Sequence, residues 1–285
     1  MTIEHIKSVF APVFATDEEG GVDAGARSAA AAYAASLADA TGAHLSLRVL
    51  GMKVVPPYSF APAFVGSLTG PVNARIEAGL AAARTTLQKR LSVAGSPVDV
   101  QTDFLTHEAI LQAVSFHGRL HDLAVVDQPV EYYSASRAAV EELLFHTGRP
   151  LIVVPNNRGT FAAGRIIIAW DGSAAAARAL NDAMPLLRGA EYVSLVSIVN
   201  EKDLSKMAPG AEIAPHLARH GVKAEVADIP LSGSAGRTLL DRAELVRADM
   251  LVMGAFVHAR WRQFIVGGVT ETMLTEAAIP IFMSH

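Results

Sequence analysis

Short apolar runs alternate with Ala-rich or amphipathic stretches, and the whole alternation occurs twice along the chain. In the first series the apolar runs are residues 8–14, 44–50, 98–105, 123–126 and 151–154. Between them, residues 24–40, 72–94, 107–120 and 136–145 read as helices, with Gly42 placed just past the end of the first. In the second series the runs are 165–170, 192–199, 222–229, 250–254 and 280–283, separated by helical stretches at 174–187, 209–220, 236–247 and 269–277. Strands that alternate with helices at this spacing need crossover connections. They therefore give parallel sheets covered on both faces. The expected architecture is α/β, with two tandem five-stranded, mostly parallel-sheet domains sandwiched by helices. The polar stretch Asn156, Asn157, Arg158, Gly159 suggests a boundary, giving domains at 1–158 and 159–285. A period this long means two domains of ordinary size, not a solenoid of small repeats.

Composition narrows the function classes. With 24 basic and 28 acidic side chains the formal net charge is −4, and the pI is about 6.2. A mildly acidic chain without a basic block is a poor nucleic-acid binder. The hydrophobic share of 51% against 18% charged excludes disorder. The mean hydropathy of +0.30 is high, yet no apolar run reaches the ~18 residues of a spanning helix. The chain has no cysteine, so disulfides, thiolate catalysis and Cys-ligated metals are excluded. Residues 1–21 lack a basic start, an apolar core and a small-residue cleavage site. The expectation is a cytoplasmic, soluble protein.

Two segments of the second half carry a resemblance. One is Ile168-Ala169-Trp170-Asp171-Gly172-Ser173, an apolar strand that ends in Asp-Gly-Ser before a helix. The other is Gly254-Ala255-Phe256-Val257, followed after nine residues by Gly267-Gly268-Val269-Thr270. Together they resemble the universal stress protein family, and the element order extends the resemblance over both halves as a tandem member. The resemblance implies a Rossmann-like, adenine nucleotide alpha hydrolase-like fold. It also implies a pseudo-dimer in which 151–154 pairs with 281–283, with a homodimer also open. Nucleotide-binding members carry G-x2-G-x9-G-[S/T] after the fourth strand, and its backbone N–H groups hold ATP phosphates.

Carried over residue by residue, Gly254 and Gly267 match the first and third glycines, and Asp171 matches the Asp near the adenosine. Ile198, at the end of the second strand of this half, would flank it too. Backbone N–H groups of Gly254, Gly267, Gly268 and Val269 would hold phosphate, and Thr270 could offer a hydroxyl. Val257 departs from the second glycine and Gly268 from the usual Ser or Thr. ATP, ADP or AMP is the implied cofactor, with Val257 against it. The same count in the first half meets Asp127-Gln128-Pro129-Val130 and then Val140-Glu141, without a glycine. The counterpart of Asp171 falls near Phe14. No nucleotide is expected in that half.

The functional expectation is a stress-response protein, adenine-nucleotide-sensing or regulatory, with a ligand cleft in its C-terminal half, at most a slow, incidental ATPase and no catalytic residue set. Two alternatives stay open. One is a nucleotide-free interaction scaffold. The other is a carrier of a small apolar ligand beneath residues 51–71, read as a loop because it holds Pro56, Pro57, Pro62 and Pro71 with Tyr58, Phe60, Phe64 and Val65. Other motifs read as ordinary structure. Ser232-Gly233-Ser234-Ala235-Gly236 lacks the first glycine of a nucleophile elbow and suits a helix N-cap. His117/His121 and His216/His220 share helix faces without a third ligand, so no metal is expected. Asp17, Glu18 and Glu19 lack calcium-loop spacing. His258, Arg260, Trp261 and Arg262 lie within the nine-residue segment, as a flap with arginines for phosphate or as a solvated loop.

Overall fold

The computed structural model describes residues 5–15, 27–55, 62–91, 95, 97–130, 134–199, 209–255 and 268–285. Two repeated α/β units follow one another. The first comprises β1 (Ser8–Ala15), α1 (Ala29–Thr41), β2 (His44–Met52), α2 (Pro62–Leu91), β3 (Val98–Leu105), α3 (His107–Arg119), β4 (Leu123–Asp127), α4 (Ala135–His146) and β5 (Leu151–Val154). The second comprises β6 (Arg165–Ala169), α5 (Ala174–Asp182), α6 (Met184–Leu187), β7 (Tyr192–Val199), α7 (Pro209–Arg219), β8 (Ala224–Pro230), α8 (Ala235–Leu245), β9 (Met250–Gly254), α9 (Gly268–Glu276) and β10 (Ile281–Ser284).

The ten strands form one sheet in the order β3-β2-β1-β4-β5-β10-β9-β6-β7-β8. Pairing is parallel within each unit. Only β5 and β10 run antiparallel, with Ile281 opposite Val153, Phe282 opposite Ile152 and Met283 opposite Leu151. These are the two segments expected to pair, and they join the units edge to edge. Helices cover both faces, as parallel strands require. One face packs under α1, α2, α5, α6 and α7, with Tyr33, Leu45, Ile152, Ile168 and Phe282 in its core. The other packs under α3, α4, α8 and α9, with Phe10, Val153, Leu251 and Met273. The strands nearest the seam are apolar at nearly every position because both faces bury them.

Helix starts follow local chemistry. Ser28, Ser134, Ser173 and Ser234 each cap a helix by accepting from the backbone N–H three residues on. Gly42 ends α1 in the left-handed conformation, with φ 68°. Three helical expectations are corrected. The first helix starts at Ala29, after its Ser28 cap, and not near residue 24. The stretch at 174–187 is two helices, because Pro185 starts a new turn at its second position after Ala183. The stretch at 51–71 is not one loop: β2 runs to Met52 and α2 begins at Pro62 with Pro71 inside it. Proline is well placed at a first helical position, and the long Ala- and Leu-rich run behind it carries the helix through Pro71. The Asn73 side chain then ties down the connection, its amide donating to the Val54 carbonyl (3.1 Å) and its oxygen accepting from the Val54 N–H (2.9 Å).

Candidate functional site

In each unit the strand order reverses direction beside the first strand, at β1/β4 and at β6/β9. Helices leaving the two strands go to opposite faces there, the switch point at which open α/β sheets form a ligand crevice beyond their carboxyl ends. In the second unit this brings the ends of β6 and β9 together, since Ile166, Ile167 and Ile168 pair with Met250, Leu251 and Val252. Asp171 stands one turn beyond β6. It is exposed, and its Oδ1 accepts from the Ser173 N–H at 2.9 Å. That bond closes a local turn with Gly172 at φ 74° and sets up the Ser173 cap of α5. Ile198 lies on the neighbouring strand, half-buried against the α8/α9 face.

Gly254 ends β9. A Cβ there would lie 2.5 Å from the Ala176 backbone N and 2.6 Å from the Ala175 carbonyl carbon. The start of α5 therefore rests directly on the strand end, a close approach that only glycine permits. Gly268 opens α9 with open space around it, Val269 is half-buried and Thr270 is 4% exposed, turned into the protein. Gly267, Val257 and the His258–Arg262 cluster lie outside the described residues, as do Asp17, Glu18 and Glu19. Sequence reading missed two nearby groups on the opposite face. The Trp170 indole N–H and the Ser197 hydroxyl are buried with no hydrogen-bond partner among the described residues. Buried polar groups are normally paired, so among the described residues these two stand out at the ends of β6 and β7.

The first unit treats the same place differently. Strand registers put Asp127 where the second unit has Gly254: Val125 pairs with Ile152 and Asp127 with Val154, as Val252 pairs with Phe282 and Gly254 with Ser284. The Asp127 carboxyl reaches the start of α1, accepting from Ser28 Oγ at 2.6 Å and from the Ala30 N–H at 2.8 Å. Burial pushes its pKa up, against the hydrogen bonds from Ser28, Ala30 and Ala29 that hold it down. Phe14 and Leu50 pair side by side where Asp171 and Ile198 stand in the other unit.

One count is corrected. The connection from β4 to β5 has 23 residues and that from β9 to β10 has 26. Aligned on Pro150 and Pro280, which precede β5 and β10, the residues opposite Gly267 and Gly268 are Arg137 and Ala138, not Val140 and Glu141. Arg137 is 3% exposed.

The remaining motifs have structural partners. His117 and His121 lie 5.8 and 5.6 Å from the Phe10 ring, and burial leads the lowering of the His117 pKa. His216 and His220 contact Asn181 and Arg188. Among the described residues no group of three or more His, Asp or Glu could hold a metal, and no helix is long and apolar enough to cross a membrane. Ser234 caps α8, accepting from the Arg237 N–H at 3.1 Å. An open groove of about 460 Å³ lies between α2 and β3, lined in part by Glu77, Arg84, Gln88, Thr102 and Phe104. Its lining is mixed rather than apolar.

Residues 163–285 match the universal stress protein family. The architecture extends that likeness over the whole chain. A universal stress protein from Archaeoglobus fulgidus DSM 4304 superposes with a TM-score of 0.69, covering 98% of this chain and 98% of its own at 13% identity. A putative universal stress protein from Pseudomonas aeruginosa UCBPP-PA14 gives 0.58, with 99% and 94% covered at 15% identity. A functionally unknown protein from Pseudomonas aeruginosa PAO1 gives 0.57, with 99% and 93% covered at 16% identity. At these identities the likeness is one of fold, and the chain has a universal stress protein fold. No curated protein matches it.

Proposed function

We propose that the protein is a stress-response regulator that senses an adenine nucleotide in the crevice of its second unit, residues 159–285, while the first, residues 1–158, serves as a closed structural partner. Asp171 and Ile198 would flank the adenosine. The N–H groups of Gly254, Gly267, Gly268 and Val269 would face phosphate, with Thr270 behind them. The single observation that supports this best is the contrast at one register position. A carboxyl group bridges the crevice of the first unit at Asp127, whereas the second unit has Gly254 and no side chain there. In this reading the bound nucleotide is sensed rather than turned over, and any hydrolysis would be slow and incidental.

The test is a denaturing extract of freshly purified protein, assayed for nucleotide by mass spectrometry. Near-stoichiometric ATP, ADP or AMP is expected. Its absence, together with no heat on titration with ATP, would defeat the reading. Val257→Gly restores the glycine of the pattern and is expected to raise nucleotide affinity in the same titration.

A second reading, a nucleotide-free scaffold, is favoured by Gly254 itself. The packing of α5 on β9 already requires that glycine without any ligand.

A further inference from the structure

We infer that Arg137 of the first unit is a positioning residue for α9 of the second, the helix whose first turn the nucleotide reading uses. For the purpose of α9 this rests on that reading, but the coupling stands on its own geometry.

Arg137 lies in the first turn of α4, where the Ser134 hydroxyl accepts from its N–H at 3.2 Å. Its guanidinium splits between two carboxylates. Nε donates to Glu141 Oε1 at 3.1 Å, one turn along α4. Nη2 donates to Glu271 Oε2 at 2.6 Å, in the first turn of α9 and across the seam between the units. The two glutamates occupy equivalent places in the units when the chain is aligned on Pro150 and Pro280. Arg137 thus spans them as a planar fork, which a lysine cannot do with one ammonium group.

The arginine is 3% exposed while Glu271 is 34% exposed, so the fixed member of the pair belongs to the first unit. A charge buried to that extent demands its partners, and holding them restrains whatever carries them. Two further hydrogen bonds across the seam hold the segment after α9. Gln128 Nε2 donates to the Ala277 carbonyl at 3.1 Å and Arg158 Nε to the Ala278 carbonyl at 3.1 Å. Arg137 alone among these three reaches the helix near its start. The restraint is one-sided, because the position matching Arg137 in the second unit is Gly267, which has no side chain to offer. Pairing also offsets the Glu271 charge within one turn of the Gly268 N-terminus, where an anion would otherwise meet it.

The test uses the full chain and hydrogen exchange in the absence of nucleotide, followed by ATP titration. In Arg137→Met the hydrogen-bonded amides of 272–276 are expected to exchange about tenfold faster, while those of α8 and β9 keep the wild-type rate. Arg137→Lys is expected to recover most of the protection, because one ammonium still reaches Glu271. Glu141→Gln removes only the charge of the partner within α4, its amide oxygen still accepting from Nε, and leaves α9 as in wild type. Unchanged exchange at 272–276 in Arg137→Met would overturn the inference. So would equal acceleration of α4, β5 and α9 in all three variants, which would make Arg137 general support for the fold. Where the wild type binds ATP, Arg137→Met is expected to weaken it about tenfold. A wild type that takes no ATP defeats the nucleotide reading alone, since the exchange result decides the positioning role by itself.

Discussion

The ends of β4 and β9 are the same place in two copies of one fold, and each meets the start of a helix by different means. At Asp127 a side chain bridges strand and helix, accepting from Ser28 and Ala30 at the start of α1. At Gly254 no side chain intervenes, and the backbone of Ala175 and Ala176 rests on the strand itself. The first arrangement uses up the helix N-terminus internally. In the second the start of α5 rests on the strand end with no side chain between them. The two units therefore share strand order and a common sheet, and differ at this register position in whether a side chain or a bare backbone meets the helix.

The largest expected effect breaks the common frame in which the two ends are compared. Phe282 is 1% exposed and sits opposite Ile152 in the seam. Phe282→Ala should cost about 4 kcal/mol in urea unfolding and loosen both units together. If one unit unfolds alone with the other unaffected, the seam does not couple them. Gly254→Ala comes next. Its Cβ would meet backbone rather than a flexible side chain, so about 3 kcal/mol is expected, localised by exchange to α5 and β9. A neutral effect would mean that the start of α5 can shift to make room for the added methyl group.

Asp127→Ala leaves the Ala30 N–H and the Ser28 hydroxyl without their acceptor and should cost about 1 kcal/mol, read from the same unfolding curves. The smallest effect concerns pH. Burial raises the Asp127 pKa above its ordinary value in the folded state. The native form therefore holds its proton to higher pH than the unfolded form does. The stability this contributes is complete below the unfolded pKa and is lost as pH rises through the folded one. Asp127→Asn removes that loss, so it should gain on wild type as pH rises from about 4 upward. Asp182 in the second unit is also raised by burial and has the same sign. Its contribution should persist in Asp127→Asn, and a flat profile in that variant would assign the whole slope to the first unit.

Most of the fold was legible because both faces of the sheet are covered. Buried strands such as Leu151–Val154 and Met250–Gly254 stand out as apolar runs against Ala-rich helices. Pro62 and Pro71 hid the first turns of α2, since proline looks like a loop until its place at a helix start is known. The site was less legible. Gly254 was visible as a motif glycine, but its packing role depends on a helix that starts some eighty residues earlier in the chain. Asp127 showed only as a missing glycine. Arg137 and Glu141 form a spacing of four that any helix would display, whereas Glu271 becomes a partner only once β5 and β10 have paired.

That pairing has a consequence for how the chain is made. Until β10 is available, β5 has an open edge of four apolar residues, Leu151 to Val154, with Asp127 and its neighbours in β4 behind it. The strand that covers it is separated from it by the entire second unit. Joining them is the longest-range step in the assembly of the sheet, and such steps are slow because the loop must close before the contacts reward it. A nascent first unit emerging from the ribosome therefore presents a bare β edge for as long as the second takes to be synthesised and folded. In that interval it is a natural client for a chaperone and a ready template for pairing with another copy of itself.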